Sequence, residues 1–305
     1  MKIEPLKISL SIPKEEIEEA FDIGEFLVDQ SVEMPAPIHI LSYVDDSGKL
    51  IPIITEDNIS MIKGQAKSRK STLIKAIAST ILSQRPYKYG SLLTSDYYRN
   101  NLAIVDTEQG NYHCWRAARS ISSLAERKVT YYSVVGVSAE KKRILVEKHL
   151  QGDRGCGVMI LDNIVHFLKD FNSAEESSNL VEWLLFVKNE YNCHIIVVLH
   201  ENGSAMGGGK AKGHLGSLLE NTCETVIRVE KDSSDSMTSI VSPALTRNRE
   251  FGKFTIEMDD HWIPSLRRYD DTEGALDKKN LQNYRNKPFE TKIYIITRSN
   301  RSKKE

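Results

Sequence analysis

Residues 64–71 read GQAKSRKS, and this octapeptide decides the fold class. It matches the phosphate-binding pattern G-x-x-x-x-G-K-[ST] at Gly64, Lys70 and Ser71, whereas Arg69 stands where the pattern has its second glycine. In such a loop successive backbone N–H groups point at phosphates, the lysine contacts the β- and γ-phosphate oxygens, and the hydroxyl binds Mg²⁺. The stretch therefore predicts a nucleotide-binding loop with one substituted position.

The residues on either side of the loop predict a strand–loop–helix unit. Residues 58–63 alternate in polarity as a short strand does, and residues 71–78 place apolar side chains at helical spacing. The amino end of that helix adds partial positive charge at the phosphates. We expect the whole loop and the first helical residues to contact the nucleotide. These are Gly64, Gln65, Ala66, Lys67, Ser68, Arg69, Lys70, Ser71 and Thr72.

The substituted position limits how the loop can be built. The second glycine of the pattern serves where the backbone has a positive φ or where a side chain has no room. Arg69 must therefore point outward or accept backbone strain, and together with Lys67 it adds positive charge beside the phosphates. The alternative is a chance Gly…Lys-Ser in a basic turn.

Composition sets broad limits on the class of protein. A chain of 305 residues that is 40% hydrophobic can form a full core, as one large α/β domain or as a domain with appendages. The net charge of −1 means that binding to nucleic acid requires a local basic patch. The four cysteines are far apart and predict reduced thiols, not a disulfide framework or a zinc site. With no signal sequence and no apolar run of membrane-spanning length, we expect a cytoplasmic protein without membrane contact.

Alternating strand and helix patterns predict an α/β fold with a mainly parallel sheet. After residue 222 three alternating strands with turn-rich links predict an antiparallel extension of that sheet. We predict an N-terminal arm (residues 1–40), a core domain (residues 41–268) and a polar, basic tail (residues 269–305). The predicted strands are residues 58–63, 102–106, 129–134, 158–162, 194–199, 224–229, 238–244 and 254–258. The predicted helices include residues 112–127 and 177–190.

Acidic residues end two of the predicted parallel strands. Asp162 follows an apolar strand and is the candidate that completes the Mg²⁺ site with Ser71, although an aspartate there is also a common helix cap. Glu108 follows another strand and is the candidate that activates the attacking water, with Asp106 as the alternative.

A third strand ends at His200, next to Asn202. Ligands of open α/β sheets bind at the carboxyl ends of the strands, so either residue is a candidate to sense the γ-phosphate. An ordinary hydrogen-bonded histidine at the sheet rim is the alternative for His200.

The order of these motifs resembles that of RecA-like P-loop ATPases, the group that contains replicative helicases such as DnaB and RepA and the KaiC-like proteins. The resemblance covers about residues 51–263 and includes the segment 213–217, similar to one in RepA-type ATPases. It implies a RecA-like core, ATP and Mg²⁺ as ligands, Glu108 as the catalytic glutamate, and assembly of several copies into a ring or filament with ATP between neighbours. The run 106–109 and the Arg69 variant also resemble ATPases of bacterial mobile elements.

The resemblance gives two further segments a role. In RecA-like rings the loop that follows the sensor strand faces the channel, which implies that Lys210 and Lys212 contact DNA phosphates, single strands in preference. A solvent-exposed glycine-rich loop is the alternative. Arg247 and Arg249 resemble the K-x-R finger that acts on the γ-phosphate of a neighbouring subunit, and a basic hairpin tip is the alternative.

Two functions from different classes remain. The first is an Mg²⁺-dependent ATPase acting on DNA, helicase-like, in the replication or recombination of a plasmid or mobile element. The second is a module in which ATP binding switches assembly or partner docking with little turnover. Aromatic residues at helical spacing are more often core than ligand contacts, so the sequence assigns none to the adenine ring.

Overall fold

The computed structural model describes Gly24 and residues 27–201, 213–233 and 235–269. The chain divides into two units, Met1–Pro37 and Ile38–Glu305. In the first unit, Asp29 Oδ1 accepts hydrogen bonds from the backbone and hydroxyl of Ser31. The predicted arm (residues 1–40) and tail (residues 269–305) lie largely outside the described residues and stay predictions.

The second unit contains a nine-stranded sheet in the order β12-β11-β10-β9-β3-β8-β7-β5-β6. Its central strands, from β9 through β3 to β6, pair in parallel, and β10, β11 and β12 extend it in antiparallel fashion. The strands are β3 (Ile59–Gly64), β5 (Asn101–Asp106), β6 (Thr130–Ser133), β7 (Cys156–Asp162), β8 (His194–His200), β9 (Thr225–Lys231), β10 (Thr238–Thr246), β11 (Phe254–Met258) and β12 (Pro264–Arg268). The mainly parallel sheet and its antiparallel extension are thereby confirmed.

A second, three-stranded sheet has the order β2-β1-β4. It consists of β1 (His39–Val44), β2 (Leu50–Thr55) and β4 (Leu93–Thr94). The helices of the described chain are α1 (Lys70–Ser83), α2 (Asn111–Ala125), α3 (Ala139–Gly152), α4 (Ala174–Tyr191) and α5 (Gly213–Thr222), with a 3₁₀ turn at Ile164–Phe167.

Strand β7 shows why the parallel strands lie at the centre. All seven of its residues are buried, and alternate side chains enter two different cores. Val158 and Ile160 pack on the face covered by α1 and α2, while Met159 and Leu161 pack on the face covered by α3, α4 and α5. A strand covered on both faces reads as a continuous apolar run, which is why the sequence predicts it well.

Helix α3 was missed because its sequence carries few apolar residues. Only Lys142, Val146 and Leu150 are buried, and the rest of the helix is half-buried or exposed. Ser138 caps its amino end by accepting a hydrogen bond from the backbone N–H of Lys141. The cap and the narrow apolar stripe are the signals that would have revealed the helix.

No helix among the described residues is both long enough and apolar enough to span a bilayer. This finding agrees with the apolar run lengths read from the sequence.

A buried polar cluster fixes the beginning of the loop strand. His194 Nδ1 lies 2.8 Å from the carbonyl oxygen of Thr55 and Nε2 lies 3.1 Å from the Ser60 hydroxyl. Thr55 in turn donates to both carboxylate oxygens of Glu224, at 2.7 and 2.6 Å. A neutral imidazole that donates from Nδ1 and accepts at Nε2 satisfies both contacts, and burial lowers the pKa of His194 to about 3.

This histidine predicts a pH-dependent stability. The unfolded chain binds a proton at His194 below its ordinary pKa of 6.5, whereas the folded protein does so only near 3, so stability is lost as the pH falls from 6.5. Between pH 7 and pH 5 the free energy of unfolding should fall by up to about 2 kcal/mol from this residue alone. Urea unfolding at both pH values measures the loss. His194→Asn should be less stable at pH 7 and should lose less on acidification; equal losses in both proteins would contradict the assignment.

Candidate functional site

The phosphate-loop sequence forms a tight turn between β3 and α1. A Cβ on Gly64 would lie 2.2 Å from the carbonyl oxygen of Val229, so only glycine fits at the end of this strand. Lys67 and Arg69 have left-handed backbones, with φ of 62° and 69°. The motif's second glycine is therefore replaced by a residue that adopts the glycine-like conformation while its side chain points away, toward β10.

The loop offers donors that fit a chain of phosphates. The backbone N–H groups of Ala66, Lys67, Arg69, Lys70 and Ser71 find no acceptor in the described part of the chain. The Ser68 hydroxyl is buried and likewise lacks a partner there. Buried donors left unpaired are costly, and converging N–H groups at a helix start bind anions. The residues present thus fit a polyphosphate.

Lys70 occupies the base of this loop. Its Nζ donates to the carbonyl oxygens of Gly64 and Gln65, both at 2.9 Å, and lies 2.9 Å from Nδ1 of His200. Burial lowers the pKa of this ammonium, while the carboxylates of Asp162 and Glu108 oppose the shift. As a protonated ammonium it only donates, so His200 accepts at Nδ1 and carries its proton on Nε2.

His200 connects the loop to Glu108. Its Nε2 lies 3.3 Å from Oε1 of Glu108, and the same oxygen accepts from Asn163 Nδ2 at 3.2 Å and lies 3.6 Å from His166 Nε2. The hydrogen bond from His200, supported by that from Asn163, lowers the pKa of Glu108 to about 2 despite partial burial. Glu108 is therefore a carboxylate at neutral pH. Lys70, His200 and Glu108 come from three separate strand ends and touch in series.

Asp106, the alternative candidate for activating water, has its oxygens fully engaged. Oδ1 accepts from the backbone N–H groups of Glu108 and Gln109 at 3.0 and 2.8 Å. Oδ2 accepts from Gln109 Nε2 and from the Tyr131 hydroxyl, each at 2.9 Å. Asp106 thus shapes the turn that presents Glu108, and Glu108 is the better placed of the two.

Asp162 and Ser71 line one cleft, as a shared Mg²⁺ site requires. Burial, reinforced by the negative charges of Asp106 and Glu108, raises the pKa of Asp162 to about 7. A carboxylate and a hydroxyl are oxygen ligands of the kind Mg²⁺ prefers, and a divalent cation would favour the ionised carboxylate. The capping function falls to the next residue, because Asn163 Oδ1 accepts from the Val165 N–H at 3.2 Å.

The end of β8 is fixed by a buried ion-pair cluster next to His200. The side chain of Glu201 is fully buried, and its Oε1 lies 2.9 Å from Arg228 Nε and 3.7 Å from Lys63 Nζ. Lys63 also pairs with Glu220 at 2.7 Å. Because these partners lie on β3, β9 and α5, the cluster holds the position of His200 relative to the loop strand.

The cleft continues from Ser71 and Asp162 between α1 and α2 to Trp262, and has a volume of about 140 Å³. The Arg116 guanidinium lies 3.9 Å from the Trp262 ring centroid, and Lys75 faces the same space. Burial, followed by the charge of Arg116, lowers the pKa of the Lys75 ammonium. Sequence reasoning missed Arg116 and Trp262 because they are far apart in the chain and match no motif.

Comparison with solved structures places this arrangement among known folds. The chain is similar to the ATPase domain of a replicative helicase, with a TM-score of 0.52 and 10% identity over 70% of this chain and 86% of that one. It is also similar to the crystal structure of the RadB recombinase, with a TM-score of 0.48 and 15% identity over 70% of this chain and 92% of that one. No protein-family model and no curated protein matches the sequence. The fold is RecA-like.

Within this RecA-like fold, the two candidate finger arginines lie far from their own phosphate loop. They follow β10, whose last residue, Thr246, pairs with Thr225 at the beginning of β9, at the edge of the sheet opposite to Gly64. Arg247 donates to the carbonyl oxygens of Asn221 and Thr222 at the end of α5. Arg249 is exposed. Neither arginine reaches the loop of its own chain, so the predicted action on a γ-phosphate requires a second copy.

Two other groups of candidates have different outcomes. Asn202, Lys210 and Lys212 lie outside the described residues, and their roles stay predictions. Of the four aromatic residues considered from the sequence, Tyr97 is core, whereas the others are exposed. The exposed ones are Tyr98, Tyr112 and Trp115.

Proposed function

We propose that this protein is a RecA-like, Mg²⁺-dependent ATPase that acts on DNA. The observation that carries the proposal is the series of contacts from Lys70 through His200 to Glu108. It links the lysine of a phosphate loop directly to an ionised carboxylate on a different strand. Such a connection suits a site that binds a nucleoside triphosphate and attacks its terminal phosphate with water.

In the proposed site each residue has one task. The loop N–H groups, the Ser68 hydroxyl and Lys70 hold the phosphates, and Ser71 and Asp162 hold Mg²⁺. Bound Mg²⁺ would neutralise negative charge on the phosphate oxygens. Glu108 orients the attacking water and accepts its hydrogen bond. Because its pKa is about 2, Glu108 acts more by orienting and polarising water than by removing a proton before attack.

His200 is the proposed sensor of the nucleotide. In the described state Lys70 donates to its Nδ1. Transfer of the Lys70 ammonium to a phosphate oxygen would free Nδ1, while Nε2 continues to donate to Glu108. Binding at the loop is thereby coupled to the group that orients water.

The finer proposal concerns assembly and DNA. Action of Arg247 or Arg249 on a γ-phosphate requires several copies in a ring or filament, and Arg249 is the more available because Arg247 caps α5. The DNA contacts are assigned to Lys210 and Lys212, with single strands preferred, in a cytoplasmic protein. The motif resemblance alone supports a helicase-like role in plasmid or mobile-element replication or recombination.

The decisive experiment measures ATP hydrolysis by the purified protein with Mg²⁺, in the presence and absence of single-stranded DNA. Mg²⁺-dependent hydrolysis that DNA stimulates supports the proposal. ATP binding without hydrolysis under either condition would instead support a nucleotide-switched interaction module. No binding of ATP at all would overturn both.

The cleft that ends at Trp262 is the proposed site of the nucleotide base. It begins at the phosphate-loop helix and ends in a guanidinium stacked on an indole, and flat cationic and aromatic surfaces bind bases by stacking. Arg116 and Trp262 come from α2 and from the turn between β11 and β12. The proposed clamp therefore adds two ligand contacts to the set read from the sequence.

Trp262→Ala should weaken ATP binding by roughly 10-fold, because stacking of a base on an aromatic ring contributes about 1–3 kcal/mol. Titration calorimetry with ATP and with inorganic tripolyphosphate measures the effect. The affinity for tripolyphosphate, which has no base, should not change. Trp183→Phe, altered on α4 where the indole bonds to Glu147, is the matched control. Equal weakening for both ligands would contradict the base site.

A further inference from the structure

Arg69 combines an unfavourable backbone with an unusually well-anchored side chain. Its φ of 69° and ψ of 29° lie in the left-handed region, which disfavours residues that carry a Cβ. A glycine at this position would adopt the same conformation without that cost. The structure must therefore contain interactions that offset the substitution.

The Arg69 guanidinium supplies those interactions. One terminal nitrogen donates to the carbonyl oxygen of Ser236 at 2.6 Å. The other donates to the carbonyl oxygen of Thr238 at 3.3 Å and to the hydroxyl of Ser239 at 3.1 Å. Bonds from a charged donor are stronger than neutral ones, and a guanidinium presents several donors in a fixed plane.

These bonds connect parts of the sheet that are not neighbours. The loop follows β3, and β9 lies between β3 and β10. The Arg69 side chain thus spans β9 to reach the first residues of β10 and the turn before it. A short side chain cannot cover that distance, and a lysine offers a single ammonium in place of the two nitrogens used here.

We propose that Arg69 is a positioning residue, which fastens the phosphate loop to β10 and holds its N–H groups in the arrangement that receives phosphates. The inference deepens the proposed function and rests on it for the identity of the ligand. In a loop with glycine at this position, the backbone alone sets the conformation. In this chain the guanidinium shares that task, so the affinity of the loop depends on a contact with a distant strand.

The test compares the affinity for ADP, measured by calorimetry, in variants at both ends of the contact. Arg69→Gly should bind ADP about 5- to 10-fold more weakly than wild type, although it restores the motif's glycine, because the loop loses its charged hydrogen bonds. Arg69→Lys should be intermediate. Ser239→Ala should weaken binding about 2-fold in the wild-type background and not at all in the Arg69→Gly background, since the two groups share one bond. All variants are compared at matched urea midpoints, so that a general loss of stability is recognised.

Two results would overturn the inference. One is an Arg69→Gly protein that binds ADP as tightly as wild type or more tightly. The other is a Ser239→Ala effect that is the same in both backgrounds. If Arg69→Gly does not fold, Arg69→Lys and Ser239→Ala provide the same comparison.

A measurement without nucleotide separates this inference from the proposed function. Hydrogen exchange of the backbone amides of residues 65–69 should be at least several-fold faster in nucleotide-free Arg69→Gly than in wild type, because the loop is no longer fastened. Unchanged exchange would overturn the positioning role even if ADP binds. If wild type binds no ADP, the proposed function fails, and the exchange result alone decides whether Arg69 orders the loop.

Discussion

Glu108→Gln is expected to lower the rate of ATP hydrolysis by roughly 10²- to 10⁴-fold while ATP binding stays within a few-fold of wild type. The substitution keeps the size of the side chain and an oxygen that accepts from His200 and Asn163. It removes the negative charge that orients and polarises water. Since the pKa of Glu108 is about 2, the wild-type residue is ionised throughout the neutral range and the comparison does not depend on small changes of pH.

Steady-state hydrolysis and calorimetric ATP binding, measured on the same preparation, test this expectation. Glu140→Gln, which neutralises an exposed carboxylate in the first turn of α3, is the matched control and should hydrolyse ATP at the wild-type rate. Undiminished hydrolysis in Glu108→Gln would remove Glu108 from the site and return Asp106 to consideration. A loss of binding as large as the loss of hydrolysis would show that Glu108 supports the site's structure instead.

Lys70→Ala is expected to weaken ATP binding by roughly 10- to 100-fold or more, because each hydrogen bond from a charged donor contributes about 1.5–3 kcal/mol. The ammonium is already buried at the base of the loop, so its contacts with phosphate would form in a partly desolvated site. The substitution also leaves the carbonyl oxygens of Gly64 and Gln65 without this donor.

Calorimetry or equilibrium dialysis with ATP measures the loss. Lys141→Ala removes an exposed ammonium from α3 and should bind ATP as wild type does. The unfolding midpoint without nucleotide shows whether Lys70→Ala remains folded. Normal ATP binding by a folded Lys70→Ala protein would mean that residues 64–71 are not the nucleotide site, and the ATPase proposal and the interaction-module alternative would both fail.

Local sequence was sufficient for the parts of the fold whose signals lie within a few residues. The buried parallel strands read as continuous apolar runs, and Gly64, Lys70 and Ser71 fall at motif spacing. The acidic or polar ends of β5, β7 and β8 could be expected to meet, because parallel strands bring their carboxyl ends to one edge. That reasoning correctly placed Glu108 and His200 in contact.

Local sequence failed where the signal was weak or depended on distant residues. Helix α3 buries few side chains and carries no broad apolar stripe. The contact between Arg116 and Trp262 joins positions nearly 150 residues apart by numbering. No local pattern encodes it, because the turn that carries Trp262 is brought to α2 only when the antiparallel strands fold back.

The phosphate loop shows where the two sources of information divide. The sequence by itself determined that a loop with a lysine and a hydroxyl would follow a buried strand and begin a helix, because those requirements are local. It also showed that Arg69 had to point away or be strained. Only the tertiary structure decided that both occur, with a left-handed backbone held by a guanidinium that reaches Ser236, Thr238 and Ser239. The physical reason is that the acceptors which offset the strain belong to a strand nearly 170 residues further along, and folding alone brings them within hydrogen-bonding distance.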